Sequence, residues 1–395
     1  MKDMPAKATI GLLSLAISTF AIGTTEFVIV GLLPTVADDL HISISKAGTL
    51  ISGYAIAIAV GTPVVTVLTG HIPKKALLLI LMAVFTLGNA FSAIAGSYEL
   101  LMISRVVTAV THGVFMAIGV IVASNLVPET KKGTAISILF TGLTVATIVG
   151  VPLGTFIGQH FGWRATFVTI TGFGLASLII NFFAVDKITR QDETPTLRDA
   201  GRLIKNPRIM MAFLMTALGF GGTFTLFTYL SPILEQISGY SAGAISILLL
   251  IYGVALAIGN IIGGRSANRH PVKALRWIFL IQGVVLLLQM WLLPNHILSV
   301  LSVIILGFCA FMMSPGVQAY IVTLAEKLVP SAKDIASALN ISAFNVGIAA
   351  GSALGGVAVD YLTYLDTAWI GAVMVGLALG LALLSYSLDK KQKLF

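Results

Sequence analysis

Long apolar runs, separated by short polar stretches, repeat along the whole chain. A membrane-spanning helix needs about 20 mostly apolar residues, and these runs reach that length. They do not alternate about every second residue over about ten residues, as barrel strands would. We place twelve spans, at roughly 9–35, 45–69, 76–96, 99–126, 133–159, 164–186, 208–234, 242–266, 273–293, 297–325, 333–360 and 367–388. The pattern therefore predicts an all-α membrane protein with twelve transmembrane helices.

Composition points the same way. Of the 395 residues, 57% are hydrophobic and 10% are charged, and the mean hydropathy is +0.98. Soluble proteins carry about 25% charged residues, so these charges are too few to cover a water-exposed surface. The first run is long enough to span and has no small-residue cleavage pattern, so we read it as a helix rather than a signal peptide. The single cysteine, Cys309, cannot form an intramolecular disulfide and is read as a small core residue.

Lysine and arginine predict the orientation. With a cytoplasmic N-terminus, 21 of the 24 fall in cytoplasmic segments, whereas only Lys46 and Arg164 fall in outer loops and Arg105 in a span. This asymmetry predicts a multi-pass cell-membrane protein with both termini cytoplasmic. It also explains the net charge of +8 as surface beside anionic lipid. We therefore expect the lipid bilayer as a partner, and no nucleic acid.

The chain divides into two similar halves at its longest loop. We predict an N-terminal six-helix bundle over 1–186, a cytoplasmic linker over 187–207 and a C-terminal six-helix bundle over 208–395. Within the linker, LRDAGRLIKNPR fits either a short amphipathic helix or a solvated connection. The repeat shows in Leu126-Val127-Pro128 and Leu328-Val329-Pro330, and in glycine ladders at Gly150, Gly154, Gly158 and Gly347, Gly351, Gly355. Duplicated halves with a site at their interface are typical of alternating-access carriers.

Glu26 is the candidate centre of the chemistry, because we assign the other acidic residues to loops, ends or tails. A carboxylate inside a span costs several kcal/mol, which indicates a role in carrying a proton or a cation. Arg105 lies in the same half of its span, so the two meet if their helices are neighbours. Desolvation would then favour neutral Glu26, and the cation would favour the carboxylate. The alternative is a fixed ion pair that joins two helices.

Three further features are weaker candidates. His112 shares one helical face with Arg105 and Thr108, and it fits either proton relay or a hydrogen bond to a neighbouring helix. The ladder at Gly150, Pro152, Gly154 and Gly158 fits close packing or a role in coupling. A substrate cavity that suits moderately hydrophobic ligands is predicted from aromatic, methionine and amide side chains, namely Tyr54, Phe115, Met116, Phe224, Phe227, Tyr229, Phe311, Met312, Asn340, Phe344 and Asn345.

Several motifs are absent from the sequence. There is no GxxxxGK[ST], so nucleotide hydrolysis is not the energy source. No HExxH or paired-cysteine spacing suggests a metal, and no arginine ladder or TVGYG filter suggests a channel. We expect no cofactor, with the proton as coupling ion, and no enzyme activity, since catalytic groups are not clustered in the spans.

Several stretches resemble the major facilitator superfamily, in its twelve-helix drug:proton antiporter branch. EFVIVGLLPTVADDL, KAGTLISGYAIAIAVGTPVV, RVVTAVTHGVF, GVPLGTFIGQHFGWRATF and FTLFTYLSPIL look like the sugar-efflux and chloramphenicol-resistance subgroup and its YdhP-like members. The resemblance covers nearly the whole length. It implies two six-helix domains around a central cavity, alternating access and export driven by proton entry. The family's fourth-span arginine falls on Arg105, its antiporter motif on Gly150, Pro152 and Gly154, and the first-span acid of several relatives on Glu26.

The cytoplasmic motif of that family, roughly G-x3-D-R-x-G-R-R, is degenerate here. In TVLTGHIPKK, Gly70 and His71 replace Asp-Arg and Pro73 replaces the glycine, while Lys74 and Lys75 match. The second copy, GRSANRHPVK, keeps Gly264 and Arg269 and has Asn268 for the acid. A charge latch built on that acid would lack its acidic residue in both copies.

These observations lead to one main hypothesis and two alternatives. We expect a monomeric secondary transporter that exports small organic molecules, drug-like compounds or metabolites, by proton antiport. A proton-coupled sugar or nucleoside transporter, including an importer, is the first alternative. A membrane-embedded enzyme or sensor is the second, and it lacks the clustered groups it would need.

Overall fold

The computed structural model describes residues 6–128, 132–185, 197–267, 270–330 and 333–392. Within these ranges every regular element is helical, and twelve helices are long and apolar enough to cross a membrane. Each of them overlaps one predicted span, with ends that differ by a few residues. The all-α, twelve-helix prediction is therefore confirmed.

Eight of the twelve helices run without a break. They are α1 (Ala6–Asp39), α3 (Lys74–Ala93), α4 (Tyr98–Asn125), α6 (Trp163–Ala184), α8 (Ala242–Ala267), α9 (Pro271–Leu292), α11 (Lys333–Tyr361) and α12 (Asp366–Gln392).

The other four helices are made of pieces. The pieces of α2 are Ile44–Ile56, Ala57–Gly61 and Thr62–Leu68; those of α5 are Lys132–Val145, Ala146–Gly150 and Val151–Phe161; those of α7 are Pro207–Phe227 and Leu230–Gln236; and those of α10 are Leu298–Ala310 and Ser314–Leu328.

The LRDAGRLIKNPR segment of the linker is helical over Leu197–Lys205, as the amphipathic-helix reading requires. Arg202 and Lys205 lie in its last turn, where cations interact favourably with the helix dipole. Asn206 then caps α7, because its side chain accepts hydrogen bonds from the backbone of Arg208 and Ile209 at 3.0 and 3.4 Å. Pro207 fits the first turn of that helix, where no N–H is needed.

The chain packs into two compact units. Unit 1 consists of Met1–Ile42 and Ile56–Glu193, and unit 2 of Ser43–Ala55 and Thr194–Phe395. The first piece of α2 thus packs with the C-terminal helices. There, a Cβ on Gly48 would overlap the hydroxyl of Tyr229, and Ser45 donates a 2.6 Å hydrogen bond to Asp360. The domain boundaries drawn from the sequence stay a prediction.

The two glycine ladders have the same role in their two units. In unit 1, Cβ atoms on Gly150 and Gly154 would overlap Thr24 and Val28 of α1. In unit 2, Cβ atoms on Gly347 and Gly351 would overlap the backbone of α7. The fifth helix of each half therefore packs closely on the first helix of that half, which supports the internal repeat read from the sequence.

We expect Gly351→Ala to unfold the protein or to lower its thermal stability sharply. The added Cβ would meet the carbonyl oxygen and carbon of Gly221, which are backbone atoms and cannot rotate away. Gly376→Ala on α12 is the matched control, because nothing lies within 4 Å of a Cβ there. That change should be neutral or stabilising by up to about 1 kcal/mol. Thermal unfolding in detergent measures both, and equal melting temperatures for the two variants would contradict the packing described here.

Helices α2 and α5 share a local irregularity. Each contains a π-helical turn, Ala57–Gly61 and Ala146–Gly150, that ends two residues before a proline, Pro63 or Pro152. Proline lacks the N–H that would continue the α-helical ladder and its ring crowds the preceding turn. The wider π turn accommodates this defect, and such turns occur frequently at functional sites.

Candidate functional site

Glu26 lies in the interior of unit 1, on a part of α1 that is buried on all sides. Its residue is 7% exposed, and Thr25, Phe27 and Val28 beside it are buried as well. A carboxyl group in such surroundings has lost most of its hydration, so its ionisation depends strongly on the few charges close to it. The predicted position of Glu26 inside the span is what the structure shows.

Arg105 of α4 is fully buried, and its side chain binds the main chain of α1. Its Nη1 donates a 2.6 Å hydrogen bond to the carbonyl of Thr25, and its Nη2 donates one of 3.4 Å to the carbonyl of Glu26. The guanidinium also acts electrostatically on the Glu26 carboxyl group. The two residues thus meet as predicted. The guanidinium of Arg105 binds two backbone carbonyls. Neither the proton-carrier hypothesis nor the ion-pair alternative included this geometry.

Helix α3 completes this polar centre, and the sequence analysis did not name it. Asn89 is fully buried and accepts a 3.1 Å hydrogen bond from the hydroxyl of Thr25. One turn further along α3, Ser92 pairs with Ser104 of α4 at 2.7 Å. An asparagine within the apolar run 76–96 was the available signal, because a buried amide in a span needs a partner.

His112 lies two turns after Arg105 on α4, and both residues are buried. Between them Thr108 bonds back to its own helix, at 3.0 Å from the carbonyls of Ser104 and Arg105. Arg105 acts electrostatically on His112. The three groups therefore share one face, as predicted, and the choice between proton relay and simple hydrogen bonding for His112 stays open.

The predicted cavity residues are divided between the units, and in unit 2 several of them form a continuous aromatic cluster. We call Phe220, Phe224, Phe227, Tyr252, Phe311 and Phe344 the aromatic cluster. Phe220 contacts Phe344 and Phe311 edge-to-face, with ring centroids 4.4 and 5.2 Å apart. Phe227 stacks on Tyr252 at 4.6 Å, and Phe224 joins the two groups at 5.4 Å from Phe227 and 6.4 Å from Phe344. Phe220 and Tyr252 are additions to the predicted set.

Both broken helices of unit 2 meet this cluster. Helix α10 is interrupted over 311–313, so Phe311 sits at the break, and α7 is interrupted at 228–229, directly after Phe227. Discontinuous helices commonly form the substrate and ion sites of transporters. Pro315 and Pro232 follow the two interruptions, which gives each break a local cause.

The amide side chains of the predicted cavity have different surroundings. Asn340 links three helices, because it accepts from Thr216 at 2.7 Å and donates to Gln318 at 2.6 Å. Asn345 donates to its own helix at Ile341, and its Oδ1 is buried without a hydrogen-bond partner among the described residues. The hydroxyl of Tyr252 is in the same situation. Two buried polar atoms, one in the aromatic cluster and one on the residue that follows Phe344, thus have no hydrogen-bond partner among the described residues.

The remaining predicted cavity residues are buried elsewhere. Tyr229 packs on Gly48 and Gly355 and donates a 3.0 Å hydrogen bond to the carbonyl of Ser352, which indicates a structural role. Tyr54 and Met312 are buried in unit 2, whereas Phe115 and Met116 are buried in unit 1 on α4.

The predicted conformational motifs are only partly described. Gly150, Pro152, Gly154 and Gly158 belong to the face of α5 that packs within unit 1, so packing accounts for them and a role in coupling stays a prediction. A Cβ on Gly264 would lie 3.7 Å from the ring of Pro315. Asn268 and Arg269 lie outside the described residues. In the degenerate first motif, Lys75 donates to the carbonyl of Phe182 at 2.9 Å and thereby caps the end of α6.

One buried charge cluster was missed by the sequence analysis. Arg208 at the start of α7 donates to Asp389 near the end of α12, and Tyr320 of α10 donates to the other oxygen of Asp389 at 3.0 Å. Both charged side chains are at most 10% exposed. The sequence analysis counted Arg208 among the cytoplasmic cations at the start of the seventh span, and it assigned Asp389, like every acidic residue other than Glu26, to loops, ends or tails. The structure shows that both side chains are buried.

Comparison with known proteins identifies the family. The model of the major facilitator superfamily matches residues 15–329. The chain belongs to the major facilitator superfamily. Its relatives include the uncharacterized MFS-type transporter YtbD of Bacillus subtilis strain 168, 50% identical over 92% of both chains. The inner membrane transport protein YdhP of Escherichia coli strain K12 is 38% identical over 95% of both chains. The resemblance read from the sequence, including its YdhP-like character, is confirmed.

Solved structures of the superfamily share the fold. A bacterial homologue of the human lysosomal transporter Spinster, in an inward-facing and unoccupied conformation, superimposes with a TM-score of 0.78 at 14% identity and covers 96% of this chain and 97% of its own. The human organic anion transporter MFSD10 gives 0.69 at 14% identity, over 96% of this chain and all of its own. Its membership of the superfamily and its twelve candidate spans make this protein a multi-pass membrane transporter of the secondary type.

Proposed function

We propose that this transporter exports small organic molecules across the cell membrane in exchange for protons, with both termini in the cytoplasm. The observation that carries the proposal is the position of Glu26. A carboxyl group buried in a membrane-length helix, beside a buried arginine, costs several kcal/mol of stability, which indicates a functional role. Relatives named as transporters support the transport activity, and the titratable centre supports coupling to protons.

In this proposal, Glu26 binds a proton from one side of the membrane and releases it to the other. Two influences act on it: burial favours the neutral acid, and Arg105 favours the carboxylate. A change of conformation that moves the guanidinium relative to the carboxyl group, or that admits water, changes which influence is stronger. Substrate and proton then favour different conformations, and each drives the release of the other.

The aromatic cluster supports a neutral, partly aromatic substrate. Aromatic rings bind flat apolar groups through edge-to-face and offset contacts, and ligand pockets combine such walls with a few polar atoms that orient the ligand. The Tyr252 hydroxyl and Asn345 Oδ1 are buried polar atoms of this kind. Both groups are uncharged, which favours uncharged compounds over ions.

A ligand screen tests this assignment. Purified protein is screened by thermal shift, at two pH values, against panels of neutral aromatic compounds, aromatic cations, sugars and nucleosides. We expect neutral aromatic compounds to stabilise the protein, and Phe344→Ala to remove most of that stabilisation, since Phe344 contacts three other rings of the cluster. Phe183→Ala is the control, because that side chain is 75% exposed on α6. Stabilisation by sugars alone, unaffected by Phe344→Ala, would contradict the proposed substrate class.

The direction of transport is tested with the ligand that the screen identifies. In proteoliposomes with an imposed pH gradient, antiport drives the ligand out of the compartment that the protons enter. Movement of the ligand together with protons would instead establish an importer.

A further inference from the structure

The hydroxyl of Thr25 bonds across to a neighbouring helix. Ser14, Ser18, Thr19 and Thr24 each donate to a carbonyl three or four residues earlier on their own helix, as hydroxyls inside helices commonly do, and Ser14 and Thr19 also donate to Asn181 and to the carbonyl of Leu139. Thr25 donates to Asn89 of α3 at 3.1 Å. Its carbonyl oxygen accepts the 2.6 Å hydrogen bond from Arg105. One residue thus connects α3 to the guanidinium.

Asn89 is held so that its oxygen faces α1. Its Nδ2 donates to the carbonyl of Phe85, one turn earlier on α3, at 2.9 Å. A carbonyl accepts only from the NH2 side of the amide, so this bond determines the orientation of the side chain. The remaining Oδ1 is left to accept from Thr25.

Close packing keeps α3 in register with α4. A Cβ on Gly88 would lie 2.6 Å from Thr108 Cγ2, and Ser92 pairs with Ser104 at 2.7 Å. Asn89 lies between these contacts on α3, and Arg105 lies between them on α4. The amide and the guanidinium therefore bind Thr25 from two helices that are fixed against each other.

We propose that Asn89 is a positioning residue for the proton site: by holding Thr25, it keeps Arg105 on the backbone carbonyls of α1 and thereby sets the pH at which Glu26 releases its proton. This inference rests on the proposed function, in which Glu26 is the group that titrates. Without Asn89, the Thr25 hydroxyl can bond back to its own helix, and the link between α1 and α3 is lost. The guanidinium is then free to move towards the carboxyl group of Glu26.

The sign of the effect follows from the charges that face Glu26. Arg105 acts on it directly, and Arg105 also acts on His112 of the same helix. The other titratable groups on α3 to α6 lie at helix ends, namely Lys74, Lys75, Tyr98, Glu99, Lys132, His160 and Arg164. A cation that moves closer favours the carboxylate, so removal of Asn89 should lower the pH midpoint of Glu26.

An infrared titration tests this without any ligand. The full-length protein is reconstituted in lipid, and the carbonyl stretching band of protonated carboxyl groups is followed against pH. The part of the band that Glu26→Gln removes belongs to Glu26. We expect Asn89→Ala and Thr25→Val to lower the midpoint of that part by about one pH unit. Thr25→Val keeps the shape of the side chain and removes only the hydroxyl, so it serves if Asn89→Ala does not fold.

Two controls separate positioning from general destabilisation. Asn181 is also a fully buried amide that bonds to α1, through Ser14 and Ser18 at 2.8 Å each, but it lies away from Arg105. Asn181→Ala should lose stability and keep the midpoint, and Thr25→Ser should keep it as well. The inference is overturned if Asn89→Ala and Thr25→Val leave the midpoint unchanged or raise it, or if Asn181→Ala lowers it equally. If no part of the band titrates as Glu26 in the unmodified protein, the proposed function fails together with this inference.

Discussion

Glu26→Gln is expected to abolish transport driven by a pH gradient and to leave ligand-for-ligand exchange intact. Glutamine has nearly the same shape as protonated glutamate and cannot release a proton, so the variant resembles a carrier whose proton site is permanently filled. Proteoliposomes that contain the variant should respond to an imposed pH gradient no more than protein-free vesicles do. Exchange of labelled for unlabelled ligand at equal pH should continue, because that cycle needs no change in protonation.

The control for this experiment is an acidic residue outside the site. Glu99 is exposed in the first turn of α4, and Glu99→Gln should transport like the unmodified protein. Glu26→Gln should also remain folded, since the substitution replaces a buried titratable group by a neutral one and spares the backbone carbonyls that Arg105 binds. Loss of exchange and of thermal stability together would show that Glu26 is structural.

The second large effect concerns the buried pair in unit 2. We expect Asp389→Ala to destabilise the protein by about 3–5 kcal/mol, because it leaves the buried charge of Arg208 uncompensated. Removal of Asp389 also removes the hydrogen bond that the hydroxyl of Tyr320 donates to the Asp389 carboxylate. Three helices, α7, α10 and α12, are joined at this point. Thermal unfolding in detergent, followed by circular dichroism, measures the loss.

A double variant shows whether the loss comes from the unpaired charge. Arg208→Met with Asp389→Leu removes both charges and should recover most of the stability, as apolar replacements of buried ion pairs often do. The ion pair between Arg164 and Asp39 is the exposed counterpart, with side chains 36% and 43% exposed. Asp39→Asn should cost no more than about 1 kcal/mol. A double variant as unstable as Asp389→Ala would indicate that packing, and not charge, holds these helices together.

The helices themselves could be predicted because lipid imposes a simple rule. Every span needs about 20 apolar residues to cross the bilayer core, so hydropathy alone located all twelve. The breaks in α7 and α10 were not predicted, because hydropathy gives no signal at 228–229 or 311–313, although Pro232 and Pro315 follow them in the sequence. The π turns of α2 and α5 are explained by Pro63 and Pro152, which are visible in the sequence.

The site was predicted less completely than the fold. Glu26 and Arg105 were found because charges are costly in a span, and their meeting followed from their depth. The role of the Thr25 carbonyl could not be predicted, because every residue has a backbone carbonyl and the sequence does not show which of them accept a hydrogen bond from a side chain. Asn89 was overlooked as a single amide among apolar residues. Arg208 and Asp389 were misread because charges at span ends usually reach water, and only the packing of three helices shows that these do not.

Proton release on ligand binding tests the central claim most directly. Purified protein in weakly buffered detergent solution is mixed with a saturating amount of the ligand found by thermal shift, and the pH is recorded. We predict that the unmodified protein releases protons, that Glu99→Gln does the same, and that Glu26→Gln binds the ligand without release. Equal proton release from Glu26→Gln and the unmodified protein would contradict the account, since another group would then carry the proton.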